Sequence, residues 1–195
     1  MLIHSIDPFN DFLSESGKLW SLTKETVKGV NLIENLKNIL SAATSPGIKV
    51  VYIPHHLTEK GDFADWKFLA PTHQGSLDNS LFEKEVGVEN SNLNSCLKAA
   101  ILLPKTIGLP VVLQIQTFFL MKQNNIDHVV IAGMKANTCI DTISRYAVEL
   151  GYHTTLIKDA IAAFNWEEIK ATVEVNFPNY GHTLLSTEEF IDALK

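Results

Sequence analysis

Apolar positions along the chain fall into two spacings. Short aliphatic and β-branched runs at Leu2–Ile6, Lys49–Ile53, 128–132, 153–157 and Thr183–Leu185 have the length and composition of strands. Between them the spacing turns helical. Val27, Val30, Leu32, Ile33, Leu36, Ile39 and Leu40 form one apolar stripe, which predicts a helix over residues 26–43 that ends at Ser45-Pro46-Gly47. A second helix follows the run Gly133-Met134-Lys135-Ala136-Asn137-Thr138-Cys139 and ends near Leu150, with Gly151 suited to its C-cap. Asn165 with Glu168, and Ser186 with Glu189, mark two later N-termini. Residues 55–94 carry little periodicity and predict a long excursion of the kind that usually serves function. The alternation predicts one α/β domain over residues 1–195, a three-layer α/β/α arrangement around a doubly wound, mostly parallel sheet. Ligands are expected at the carboxyl ends of its strands.

Composition narrows the function classes. The chain is 46% hydrophobic and 19% charged with a net charge of −6. It therefore offers no basic field for nucleic acid or an anionic membrane, and neither is expected as a partner. Two cysteines, Cys96 and Cys139, are too few for a disulfide framework and lack zinc-type spacing. The first residues have no basic n-region or long apolar run, and the longest apolar region, 109–121, is interrupted by Pro110, Gln114 and Gln116. A reduced, cytoplasmic protein is the expectation.

Two segments fall at predicted strand ends, Ile6-Asp7-Pro8-Phe9-Asn10-Asp11-Phe12 and the run that ends in Cys139. At a helix start, unpaired N–H groups and the positive end of the dipole favour a thiolate, and the same N–H groups could hold an oxyanion. Asp7 is the candidate base, because partial burial would raise its pKa towards a useful value. Residue chemistry alone leaves other readings open: Cys139 as a small core residue, Asp7 as a turn cap, and Asp11 in either role. His55 and His56 follow the second strand, but adjacent side chains on an extended chain point to opposite faces, so no metal site is expected. Trp66 reads as a packed surface aromatic or a pocket cover, and Asp159 as a residue that fixes a turn.

The pairing of IDPFNDF with GMKANTCIDTISRYAVELGYHTTLIKDAIAAF resembles the isochorismatase-like cysteine hydrolases over residues 1–84 and about 120–195. That resemblance implies Asp7 as acid/base, Cys139 as nucleophile and Phe12 as an aromatic lining the pocket. It also implies a cis peptide at Met134–Lys135 and an oxyanion hole made by the N–H groups of Lys135 and Cys139. The implied activity is hydrolysis of an amide, ureido or carbamoyl C–N bond in a small molecule through a thioester. No cofactor or metal is implied, and a homo-oligomer is. The rival readings are a catalytically impaired relative, kept for binding or assembly or as a pseudogene product, and a vinyl-ether hydrolase of the isochorismatase type.

The family pattern also calls for a lysine on the strand preceding the cysteine strand, and residues 85–119 depart from it. A displaced reading frame accounts for the departure. With permitted codons, the shifted frame through this stretch spells GGDIVAKDNWLASGFANTD, which resembles the family. Two compensating frameshifts, near Lys84 and Phe119, are the expectation, and resequencing the gene decides it. The lysine of the shifted frame overlaps the codons of Pro104 and Lys105, which makes Lys105 the candidate third catalytic residue. A solvated loop lysine is the competing reading, and Cys96 is given no role.

Overall fold

The computed structural model describes residues 1–43, 48–53, 55, 58–83, 101–102 and 121–195. The described strands form one six-stranded sheet in the order β3-β2-β1-β4-β5-β6. They are β1 (Leu2–Ile6), β2 (Lys49–Ile53), β3 (Ile101–Leu102), β4 (His128–Met134), β5 (His153–Ala162) and β6 (Thr183–Leu185). Every pairing is parallel, so the sheet is parallel throughout its described strands. Helices α1 (Asn10–Leu13), α2 (Trp20–Gly29) and α3 (Leu32–Ala42) lie between β1 and β2. Helix α4 (Pro71–Asp78) forms within the excursion. A π-type turn (Ala136–Ile140) leads into α5 (Asp141–Glu149), and α6 (Trp166–Lys170) and α7 (Thr187–Asp192) follow.

Alternation along the strands explains the layers. Leu2 and Ile6 of β1, with Val129 and Ile131 of β4, pack against Ile140 of the π-type turn and Ile143 and Ala147 of α5. Ile3, with Val130 and Ala132, packs on the other face against Val27, Leu36 and Ile39 of α2 and α3. Strands buried on both faces carry nearly continuous apolar sequence, as these do.

The single helix expected over residues 26–43 is two helices. The chain breaks at Asn31, which adopts a left-handed backbone with φ 53°. Asparagine tolerates that region better than most residues. The apolar stripe survives the break because both helices face the same core, with Val27, Leu32, Leu36 and Ile39 buried. β5 also outruns its predicted end. Its pairing with β4 shifts register between Ile131 and Gly133, and the residues between Leu156 and Ile161 bulge out. Asp159 lies in that bulge, where its Oδ1 accepts the N–H and hydroxyl of Thr187 at 2.7 and 2.8 Å. Its role is thus to tie β5 to the start of α7. The excursion holds a helix that periodicity missed, because α4 is short and its apolar residues are few. Pro71 sits in its first turn, where a missing N–H costs nothing.

Candidate active site

The strand order reverses between β1 and β4, which places the crevice of a doubly wound sheet at their carboxyl ends. Asp7 leaves β1 there, and Cys139 lies one turn beyond β4. The two strands come very close at this point. Gly133 has φ 121°, and a Cβ on it would overlap the backbone of Ile6, so only glycine fits. The Met134–Lys135 peptide that follows is cis, as the resemblance implied. The chain then turns into the π-type turn that carries Cys139.

Asp7 is fully buried. Its backbone is left-handed, with φ 46°, and its N–H is held by the carbonyl of Ile53 at 2.9 Å. No described donor completes an ordinary hydrogen bond to either carboxylate oxygen. Burial raises its pKa from 3.8 to about 7, and the Cys139 thiol draws it only part of the way back. The thiol itself is pushed well above its ordinary range, first by burial and then by the charge and hydrogen bonding of Asp7. The backbone N–H of Lys135 and the hydroxyl of Thr138 pull the other way, the latter with Oγ1 3.9 Å from Sγ. The thiolate expected from the helix start is therefore outweighed in the resting site, where desolvation and a neighbouring carboxylate win.

Asp11 is settled differently. Its Oδ2 accepts the Phe82 N–H at 2.7 Å and its Oδ1 the Lys18 N–H at 3.2 Å. Both oxygens are committed to the backbone, so Asp11 fastens the Phe82 segment over the site. Phe12 is buried with its ring centroid 5.2 Å from that of Phe82. Both line a cavity of about 620 Å³ together with Cys139, Lys135, His73 and Phe164. His55 also lines it, against the Phe82 ring at 4.4 Å. Trp66 does not line it, but packs edge-on against His73 and Phe63 behind the wall. Lys105, Cys96 and His56 lie outside the described residues.

Sequence reasoning missed Phe82, His73 and Phe164, whose approach to Cys139 is set by the fold. It also missed the side chain of Lys135. Its Nζ lies 3.3 and 3.4 Å from the two Glu168 oxygens and 4.1 Å from the centre of the Phe164 ring. A further network anchors the residue after the cysteine turn. Asp141 accepts the Tyr180 hydroxyl at 2.6 Å and the Asn176 amide at 3.1 Å, and Arg145 lies 3.5 Å away.

An Isochorismatase domain model matches residues 1–189. The chain belongs to the isochorismatase family. Among curated relatives, an uncharacterised isochorismatase family protein, YwoC from Bacillus subtilis (strain 168), is 35% identical over 75 residues. That alignment spans 38% of this chain and 39% of the relative, well short of its whole length. A cysteine hydrolase from Pseudomonas syringae pv. phaseolicola 1448A superposes with TM-score 0.75 at 16% identity, covering 99% of this chain and 91% of that one. The pyrazinamidase/nicotinamidase of Streptococcus mutans UA159 gives TM-score 0.70 at 18% identity, covering 94% and 99%. An N-carbamoylsarcosine amidase from Thermoplasma acidophilum gives 0.64 at 19%, covering 96% of each chain. These likenesses establish the fold, and the expected α/β architecture is the one observed. Among the described residues, no helix is long and apolar enough to cross a membrane, and no cluster of three or more histidine, cysteine or acidic residues is placed to hold a metal ion.

Proposed function

We propose that this chain is a cysteine hydrolase that cleaves an amide, ureido or carbamoyl C–N bond of a small molecule through a thioester. The observation that carries the reading is the buried Asp7 carboxyl, its pKa raised to about 7, coupled to a thiol that lines an aromatic-walled cavity. A general base poised near neutrality is what thiol activation requires.

Asp7 takes the proton from Cys139 Sγ as sulfur attacks the substrate carbonyl carbon. The C=O electron pair moves to oxygen, and the N–H groups of Lys135 and Cys139 hold the oxyanion. The Lys135 N–H lowers the pKa of the Cys139 thiol against the effect of burial, which supports this assignment. Collapse breaks the C–N bond, and Asp7 returns its proton to the departing nitrogen. Water then adds to the thioester, giving one proton to Asp7, and the thiol leaves with a proton as the acid is released. Lys105 is kept in this reading as the third catalytic residue, a cation for the Asp7–Cys139 pair. Phe12 packs against the bound substrate.

The nicotinamidase and carbamoyl amidase named above support the C–N bond class, and so does the presence of the thiol. The reading extends to a cytoplasmic homo-oligomer, for which size-exclusion chromatography with light scattering gives the answer. Iodoacetamide should label Cys139 stoichiometrically at neutral pH, and the labelling should slow sharply in Asp7→Asn. Ammonia release across a panel of amides and ureides then tests the reaction class. A protein that labels no faster than a buried core thiol, and releases no ammonia, is the impaired relative instead.

A further inference from the structure

Lys135 is the only formally charged residue lining the cavity among the described residues, and the remaining wall is largely aromatic and aliphatic. Its ammonium is nearly enclosed, with 13% of the side chain exposed, and its counter-ion Glu168 does not line the cavity. A buried ammonium needs a partner, since burial strips away the water that would otherwise stabilise its charge. Glu168 supplies one loosely. Both N···O separations, 3.3 and 3.4 Å, exceed the roughly 2.7–2.9 Å of a tight charge-assisted bond. The Oε2 atom is also shared, since it accepts the Phe164 N–H at 3.1 Å. Glu168 therefore keeps a backbone partner of its own if the ammonium turns away. An ammonium has three N–H donors, and this one is held by a stretched carboxylate contact and a ring face.

From this arrangement we infer that the Lys135 side chain reads an anionic group on the substrate, with Glu168 as the counter-ion it exchanges. The substrate class is then an amide or ureide carrying a carboxylate a few bonds from the scissile carbonyl. The spacing is short because Lys135 caps the π-type turn that carries Cys139, and both residues line the cavity. The inference rests on the hydrolase reading for the identity of the reacting group, but not for the anion contact. Glu168 acts on the substrate only through Lys135 and is a positioning residue. Its Asn165-capped N–H, at 2.8 Å, fixes it at the start of α6.

The test compares each carboxylate with its own methyl ester: succinamate and 4-carbamoylbenzoate, on the full chain, Lys135→Met and Glu168→Gln. Methionine keeps the backbone N–H and the packing on Phe164, and glutamine still accepts the Phe164 N–H. The expected result is a carboxylate-to-ester ratio of kcat/KM that falls at least tenfold in Lys135→Met and rises severalfold in Glu168→Gln. Carboxylate and ester changing by one common factor in both variants would overturn the inference. If none of the four compounds is turned over, the hydrolase reading fails for this class, and binding decides the anion contact separately. Calorimetry of 4-carbamoylbenzoate and its ester on Cys139→Ala should show tighter binding of the carboxylate, lost when Lys135→Met is added. Equal binding of the pair, or no binding of either, sinks the proposal. Should Lys135→Met fail to fold, the direction of the Glu168→Gln change stands as the deciding result.

Discussion

The two ends of the same sheet treat their titratable groups in opposite ways. At the amino end, the His153 ring packs edge-on to His128, with centroids 4.4 Å apart, and stacks on His182 at 4.8 Å. These rings have local partners: His128 Nε2 with the Thr155 hydroxyl at 2.8 Å, and His182 Nδ1 accepting the Thr154 N–H at 3.2 Å. His153 and His182 are exposed to water. At the carboxyl end, Asp7 is sealed from water, bent into a left-handed backbone, and given no ordinary donor among the described residues. Burial there penalises the charged carboxylate, at the edge of the sheet where the site's chemistry is proposed. The histidine cluster is structurally routine. The single aspartate is inconspicuous and structurally costly.

The sharpest test of that contrast is Cys139→Ala, expected to lower turnover by about 10⁴-fold or more with the melting temperature little changed. Ammonia release beside a thermal melt measures both. Asp7→Asn should lower kcat/KM by about 10³-fold while making the protein more stable above neutrality. The sign follows from proton linkage. The folded pKa, about 7, lies above the ordinary 3.8, so the folded state binds the proton more tightly. The stability this confers is complete below pH 3.8 and is lost as pH rises through 7. The loss is on the order of 4 kcal/mol at one pKa unit per 1.36 kcal/mol. Urea titrations at pH 5 and pH 8 should show the wild type losing stability where Asp7→Asn does not. Equal slopes would break the comparison. In wild type the same carboxyl should give kcat/KM a rising limb near pH 7, absent in the variant.

Smaller effects follow away from the reacting pair. Gly133→Ala forces a Cβ into Ile6 and should cost about 2–3 kcal/mol in a urea titration. It should also lower kcat, because Asp7 and the cysteine turn share that contact. Asp141→Ala leaves the Tyr180 hydroxyl and Asn176 amide without their acceptor and should cost about 1–3 kcal/mol, again by urea titration. At the amino end, His153→Gln should change stability by about 0.5 kcal/mol or less and leave kcat/KM untouched. A large kinetic effect there would show that the two ends are coupled after all.

Much of this was legible before any coordinates. β1, β2 and β6 carry the predicted bounds, because short apolar runs bounded by turn residues admit few other conformations. The Asn165 cap and the Ser186–Glu189 capping box form as read, since such motifs are satisfied within one turn. Asp7 and Cys139 could be paired from strand-end logic and family resemblance. The break at Asn31 was invisible, since two helices that bury the same face carry one continuous stripe. α4 was missed because its sequence, PTHQGSLD, has little periodicity of its own and owes its order to packing.

The sequence by itself determined the alternation of strands and helices, the parallel sheet they build, and the two residue types delivered to its carboxyl edge. Those features depend on local spacing and on chain neighbours. Only the tertiary structure decided the electrostatics. The full burial of Asp7, the upward shift of both site groups and the fastening of Asp11 to the Phe82 backbone all arise from segments far apart in the chain. The placement of the Lys135 ammonium between Glu168 and Phe164 has the same origin. A carboxyl's pKa depends on what surrounds it in three dimensions, and no spacing along the chain encodes the loss of water around it.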